Sequence, residues 1–241
     1  IRLDPNSADA HYYKAYSLLE LTHHEESLPE FEVTTSLAPG NAMAHYYHGL
    51  ALIRLERQND AITALDRCLT LTPRYAPAHY QRGLALYALG RYQDAIEAFD
   101  HTLESDPQAA DAALYKSLSL HALGRYEESL SASEVAIAIR PGFPEAWHSK
   151  GAALAELERF ADAVEAFDRS IEIDPSTAKT HYDRGLALVR LDRFLEAVES
   201  FDRVLGMIPN SALAFFHKGI ALTELGMFEE AILAYNIALE I

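Results

Sequence analysis

The chain has 241 residues, 49% of them hydrophobic, and 20 basic against 36 acidic side chains give a formal net charge of −16. That apolar fraction excludes a disordered chain, and no apolar run approaches the roughly 18 residues of a membrane span. The acidic balance disfavours a phosphate-backbone partner, so neither nucleic acid nor membrane is expected, and one cysteine, Cys68, leaves no internal disulfide and fits a reducing, cytoplasmic setting.

A period organises the chain before any local reading. Pro5, Pro39, Pro73, Pro107, Pro141, Pro175 and Pro209 stand 34 residues apart without insertion or deletion. They mark units over about 8–41, 42–75, 76–109, 110–143, 144–177, 178–211 and 212–241, and residues 1–7 read as the end of a preceding unit. The whole is expected to be one array, 1–241, cut from a longer protein.

In the first unit His11, Ala15, Leu18 and Leu21 are spaced four, three and three, one face of a helix. Ser27, Phe31 and Thr34 make the matching stripe of a second helix. Between them His23, His24, Glu25 and Glu26 look like a ligand cluster. They align, however, with Arg125, Tyr126, Glu127 and Glu128, and so read as an inter-helix turn and helix start. Pro29 has no counterpart in other units, and Ser27 with Glu30 reads as a capping box, so this helix is expected to start late, near Leu28, or to kink.

Later units repeat the columns. Small residues recur at Ala15, Gly49, Gly83, Ser117, Gly151, Gly185 and Gly219, and at Ser27, Ala61, Ala95, Ser129, Ala163, Ala197 and Ala231. Leucines recur from Leu18 to Leu222 and from Leu21 to Leu225. Bulky residues from Phe31 to Tyr235 are interrupted only by Ser133. Small residues let two helices approach, and leucines and rings fill the space beside them. Gly90, Gly124 and Gly226 suit a left-handed helix end. A lone pair of helices cannot bury both faces, whereas stacked pairs can.

The period and columns resemble the tetratricopeptide repeat (TPR) family, best in the fifth unit with Trp147, Gly151, Leu154, Ala163, Phe167 and Pro175. The resemblance covers essentially the whole chain. It implies an all-α, right-handed α-solenoid of seven 34-residue helix-turn-helix units whose first helices line a concave groove. It further implies a scaffold that binds a protein or peptide partner, without catalysis. The alternatives are a non-catalytic regulatory array of a larger enzyme or sensor, and end-to-end self-association through uncapped terminal repeats.

At the groove positions implied by the resemblance, tyrosines crowd the N-terminal half: Tyr12, Tyr13, Tyr16, Tyr46, Tyr47, Tyr80, Tyr87 and Tyr115. They read either as a recognition surface for a peptide or as packing between units. The Lys and Asn clamp by which some family members hold a terminal carboxylate is missing, with Tyr12, Tyr16, Tyr47, Pro77 and Gln81 in its place.

Where the family usually has leucine, this chain has Lys14, His48, Arg82, Lys116, Lys150, Arg184 and Lys218. Glu32, Asp66, Asp100, Glu134, Asp168, Asp202 and Asn236 form a second column, acidic but for the last. A structural ladder is expected in preference to a cationic track. His11, His45, His79 and His181 share a column with Ala113, Trp147 and Phe215, which reads as packing. His45 and His48 lack further ligands, so no metal and no cofactor is expected. Cys68, aligned with Thr34, Thr102 and Ala136, reads as buried. No phosphate loop, nucleophile elbow or metal motif interrupts the array, so no catalytic residue is expected.

Overall fold

The computed structural model describes residues 6–241; the segment assigned to a preceding unit lies, but for residues 6 and 7, outside them. Among the described residues there are fourteen helices and no strand. In order they are α1 Ala8–Glu20, α2 His24–Leu37, α3 Ala42–Arg54, α4 Gln58–Leu71, α5 Ala76–Ala88, α6 Tyr92–Ser105 and α7 Ala110–Ala122. They continue with α8 Tyr126–Ile139, α9 Pro144–Glu156, α10 Phe160–Ile173, α11 Ala178–Arg190, α12 Phe194–Met207, α13 Ala212–Glu224 and α14 Phe228–Glu240. This is the all-α solenoid of seven helix-turn-helix repeats. The chain divides into two compact units, Ile1–Leu123 and Gly124–Ile241, and within each every helix packs on the next.

Helix ends follow the repeat. Ser7, Asn41 and Ser211 cap first helices by accepting from the backbone N–H of Ala10, Ala44 and Ala214. Second helices use a different device. Arg57, Arg91, Arg125, Arg159 and Arg193 stand at the N-cap, and each guanidinium pairs with the acid three residues on, at 2.5–2.6 Å. Those acids also lie in the first turn, where the helix dipole favours them.

First helices end in a left-handed residue. Gly90, Gly124 and Gly226 take φ of 71–75°, but Thr22, Glu56, Glu158 and Asp192 adopt 57–62° in the same column. The residue after it turns its N–H back to the leucine column, as from Arg57 to the Leu52 carbonyl at 2.9 Å. The second leucine column therefore supplies the C-caps, and Leu21, Leu89 and Leu123 are exposed rather than core.

The core lies between paired helices. A Cβ at Gly83, Gly151 or Gly185 would lie 2.5–2.7 Å from the ring of Phe99, Phe167 or Phe201, so at these places glycine is what lets the rings lie flat on the partner helix. Leu52, Leu86, Leu154 and Leu188 are buried beside them. Close packing of this kind leaves little room for an extra methyl.

α2 corrects the late start expected near Leu28. It begins at His24, as early as the other second helices begin in their repeats, and contains Pro29. No capping box forms: the Ser27 hydroxyl donates to the His24 carbonyl, and Glu30 instead accepts from His11 and Lys14. Pro29 and Glu25 both face solvent, so water can serve the Glu25 carbonyl that loses its helical donor.

Candidate protein-interaction surface

The charge columns pair as a ladder. Arg82, Lys116, Lys150, Arg184 and Lys218 bind Asp66, Asp100, Glu134, Asp168 and Asp202 at 2.5–2.8 Å, each acid 16 residues earlier on the preceding repeat's second helix. Lys14 bonds Glu30 of its own repeat, which holds that carboxyl below the usual range, with His11 adding to the effect. One rung differs. His48 sits beside Glu32, stacked on Phe31 with ring centroids 6.3 Å apart, and burial pushes its pKa down.

The histidine column does more than pack. The ring Nε2–H of His45, His79 and His181 donates to the carbonyl of Pro39, Pro73 and Pro175, at 3.1, 2.8 and 3.1 Å. Trp147 makes the same bond from Nε1 to Pro141, at 2.9 Å. Histidine and tryptophan alternate here because both place a ring N–H six residues beyond a carbonyl that needs a donor. The signal was present in the sequence as a shared column of His and Trp after each proline.

With the cations drawn toward second helices, the opposite face of the first helices is left to the tyrosines. In the first compact unit Tyr12 meets Tyr47 at 6.2 Å, and Tyr80 meets Tyr115 at 6.4 Å, in both cases 35 residues apart. The second compact unit uses the same spacing for polar contacts. His148 Nε2 donates to Asp183 at 2.8 Å, and the Tyr182 hydroxyl lies 3.1 Å from His217 Nδ1. This 35-residue step is a second ladder along first helices.

The predicted tyrosines form two groups rather than one row. Tyr12, Tyr13, Tyr16, Tyr46 and Tyr47 gather with Tyr75, Tyr16 lying 5.0 Å from Tyr47 and Tyr46 lying 5.2 Å from Tyr75. Tyr80, Tyr87 and Tyr115 gather around Phe99 with Tyr92. Tyr75 and Tyr92 were not singled out from the sequence. Tyr75 occupies the N-cap column held by Ser7, Asn41 and Ser211, and that substitution was the available clue.

Most of these rings are half-buried, but Tyr13 is 66% exposed. Burial raises the pKa of Tyr12 and Tyr87 and pushes Tyr46 up to about 12. Tyr16 is raised chiefly by the Glu20 carboxylate, to which it is also hydrogen-bonded. These phenols therefore remain hydrogen-bond donors at neutral pH. Among the described residues no cluster of three or more His, Cys, Asp or Glu could hold a metal ion, and no helix is long and apolar enough to cross a membrane. Cys68 is buried, as its column suggests.

Tetratricopeptide repeat family models match residues 49–90, 80–144, 144–177 and 182–241. No curated protein matches the chain in sequence. Among solved structures, residues 41 to the end of MamA from Desulfovibrio magneticus RS-1 are 26% identical, with a TM-score of 0.66 over 70% of this chain and 96% of that one. YrrB, described as a TPR protein with an unusual peptide-binding site, is 21% identical, with a TM-score of 0.67 over 76% and 95%. A tetratricopeptide repeat protein from Parabacteroides merdae is 14% identical, with a TM-score of 0.73 over 97% and 93%. The last two likenesses concern the fold alone.

Proposed function

Because the chain belongs to the tetratricopeptide repeat family, whose members bind protein or peptide partners, we propose that its first-helix face on α1, α3 and α5 receives a peptide or partner helix. The observation that carries this reading is Tyr13. It stands 66% exposed beside the Tyr12 ring, at the edge of a tyrosine group whose other members are partly covered. Such rings offer apolar area and hydroxyl donors at little entropic cost. The scaffold is non-catalytic in this reading and acts in a reducing compartment, the cytoplasm, where a buried lone cysteine stays a thiol.

The test is selection of peptides from a displayed library on the 241-residue chain. Selected peptides are expected to bind a Tyr13→Ala variant at least about tenfold more weakly, a loss near 1.4 kcal/mol, and to bind a Lys179→Ala control unchanged. Equal binding to both variants would remove the tyrosine face as the site. Tyr47→Ala is the poorer probe, since Tyr47 also holds Tyr12 and Tyr16 in place.

A second reading, self-association, draws on α14. Ile232 is 59% exposed, whereas Ile62, Ile96 and Val164 at the same place in earlier repeats are 7%, 4% and 2% exposed. A helix of another copy laid on α14 would cover it. Solution scattering over a concentration series is expected to show a rising apparent mass; constancy sinks this reading.

A further inference from the structure

The tyrosine face of α1, α3 and α5 carries no cation among its rings, and the one carboxylate that reaches them, Glu20, is bonded to Tyr16. Asp9 and Glu20 lie at the two ends of α1, and Arg54 is the last residue of α3. The cations between them point elsewhere: Lys14 is bound to Glu30 and Arg82 to Asp66. His45 spends its ring N–H on the Pro39 carbonyl. The charge ladder thus draws the cations off this face in a chain whose net charge is −16.

The face also carries hydroxyls, each with a hydrogen to donate, that no protein group holds. Tyr12, Tyr13, Tyr46, Tyr47 and Tyr75 make ring contacts with one another, but their hydroxyls bond no protein group among the described residues. A ligand that covers these hydroxyls must bring acceptors, or each becomes a buried donor without a partner. A helical ligand brings few, because its carbonyls are already satisfied within the helix. An anionic tail finds no cation among these rings short of Arg54, and a cationic one meets only Asp9 and the Tyr16-bonded Glu20 at the ends of α1.

We infer that the tyrosine face takes an uncharged, proline-rich segment in the polyproline II conformation. Each proline contributes a carbonyl without an N–H, so such a segment has more acceptors than donors, the complement of a surface of phenols. Its backbone is solvated and makes no internal hydrogen bonds, leaving those carbonyls available. Its rings are flat and apolar and pack on aromatic faces, and its conformation is preformed, so little ordering is lost on docking. This inference rests on the proposed interaction face and adds the chemistry of its occupant.

Titration calorimetry on the full chain tests it with an acetylated and amidated Pro-Pro-Ala peptide of about nine residues, ~28 Å long at 3.1 Å per residue. Comparison peptides replace every proline by alanine, or the alanines by lysine or by glutamate. The proline peptide is expected to bind at least about tenfold more tightly than its alanine counterpart, and more tightly than either charged form. Tyr13→Ala is expected to weaken it by a similar factor. Tyr12→Phe combined with Tyr46→Phe, which keeps the rings and removes two donors, is expected to weaken it several-fold while leaving the circular dichroism melt in place.

Equal binding of proline and alanine peptides, tighter binding of a charged form, or no binding of the proline peptide overturns the inference. If library-selected peptides meanwhile still depend on Tyr13, the interaction face stands and only its proline chemistry falls. If they do not, both fall.

Discussion

Glu56 holds a left-handed conformation, φ 58°, at the place where Gly90, Gly124 and Gly226 sit with nothing near their missing Cβ. A side chain there costs about 1–2 kcal/mol in the folded state, because its Cβ crowds the following carbonyl. Glycine removes that cost but returns about 0.5–1 kcal/mol through the greater freedom of the unfolded chain. Glu56→Gly is therefore expected to stabilise the protein by about 0.5–1 kcal/mol, read as a higher urea midpoint at unchanged slope. The left-handed position was legible only where glycine marks it. At Thr22, Glu56, Glu158 and Asp192 the turn is dictated by its neighbours, since the leucine carbonyl still needs the N–H that follows, and residue type carries no sign of it.

At the scale of elements, the ladder has one weak rung. His48 stands where other repeats place Lys or Arg, and burial lowers its pKa from the ordinary 6.5, with His45 and Arg57 adding to the effect and Glu32 and Asp60 opposing it. His79 is lowered too, first by burial, while its bond to the Pro73 carbonyl opposes the shift; the His101 ring lies 5.0 Å away. Well above 6.5 both are neutral in folded and unfolded chains alike and add no pH dependence. As the pH falls below 6.5 the unfolded chain takes up protons first, so stability declines until the lower folded values are passed. Glu30 acts separately: its contribution is present above its ordinary 4.5 and is lost only as the pH falls through its lowered folded value. Thermal midpoints at about pH 7.5 and 5.5 isolate the histidines. His48→Arg, which rebuilds the Arg82–Asp66 type of rung against Glu32, is expected to shrink the difference between the two midpoints; an unchanged difference would place the acid sensitivity elsewhere.

The pairing of charge columns could be read in advance because both share one period and opposite sign. The 35-residue contacts could not, since they depend on which faces of two neighbouring first helices meet. That register decides that Tyr47 leans on Tyr12 and Tyr16 while Tyr13 stays open, and that the equivalent places in the other compact unit hold His148 with Asp183. The donor role of His45, His79, Trp147 and His181 was hidden for a similar reason. Ring size suggests packing, and only the position of the proline carbonyl shows what the N–H is for.

For the whole molecule, interactions between nearest neighbours make repeats interchangeable. Removing residues 178–211 brings Lys218 to Asp168, which Arg184 now holds, and leaves the glycine-on-ring packing of Gly219 on Tyr235 intact. The shortened chain is expected to fold, with its helical circular dichroism signal reduced by about a seventh and its unfolding still cooperative.

The ladder joins each cation to the second helix before it, never to the one after, in every repeat from Arg82 to Lys218. The array therefore has a reading frame. Loss of thirty-four residues keeps the frame, whereas loss of one residue within a helix turns everything beyond it by about 100° and sends each later cation past its acid. Insertions within a helix are tolerated only in whole units, and the fold carries its own check against the others.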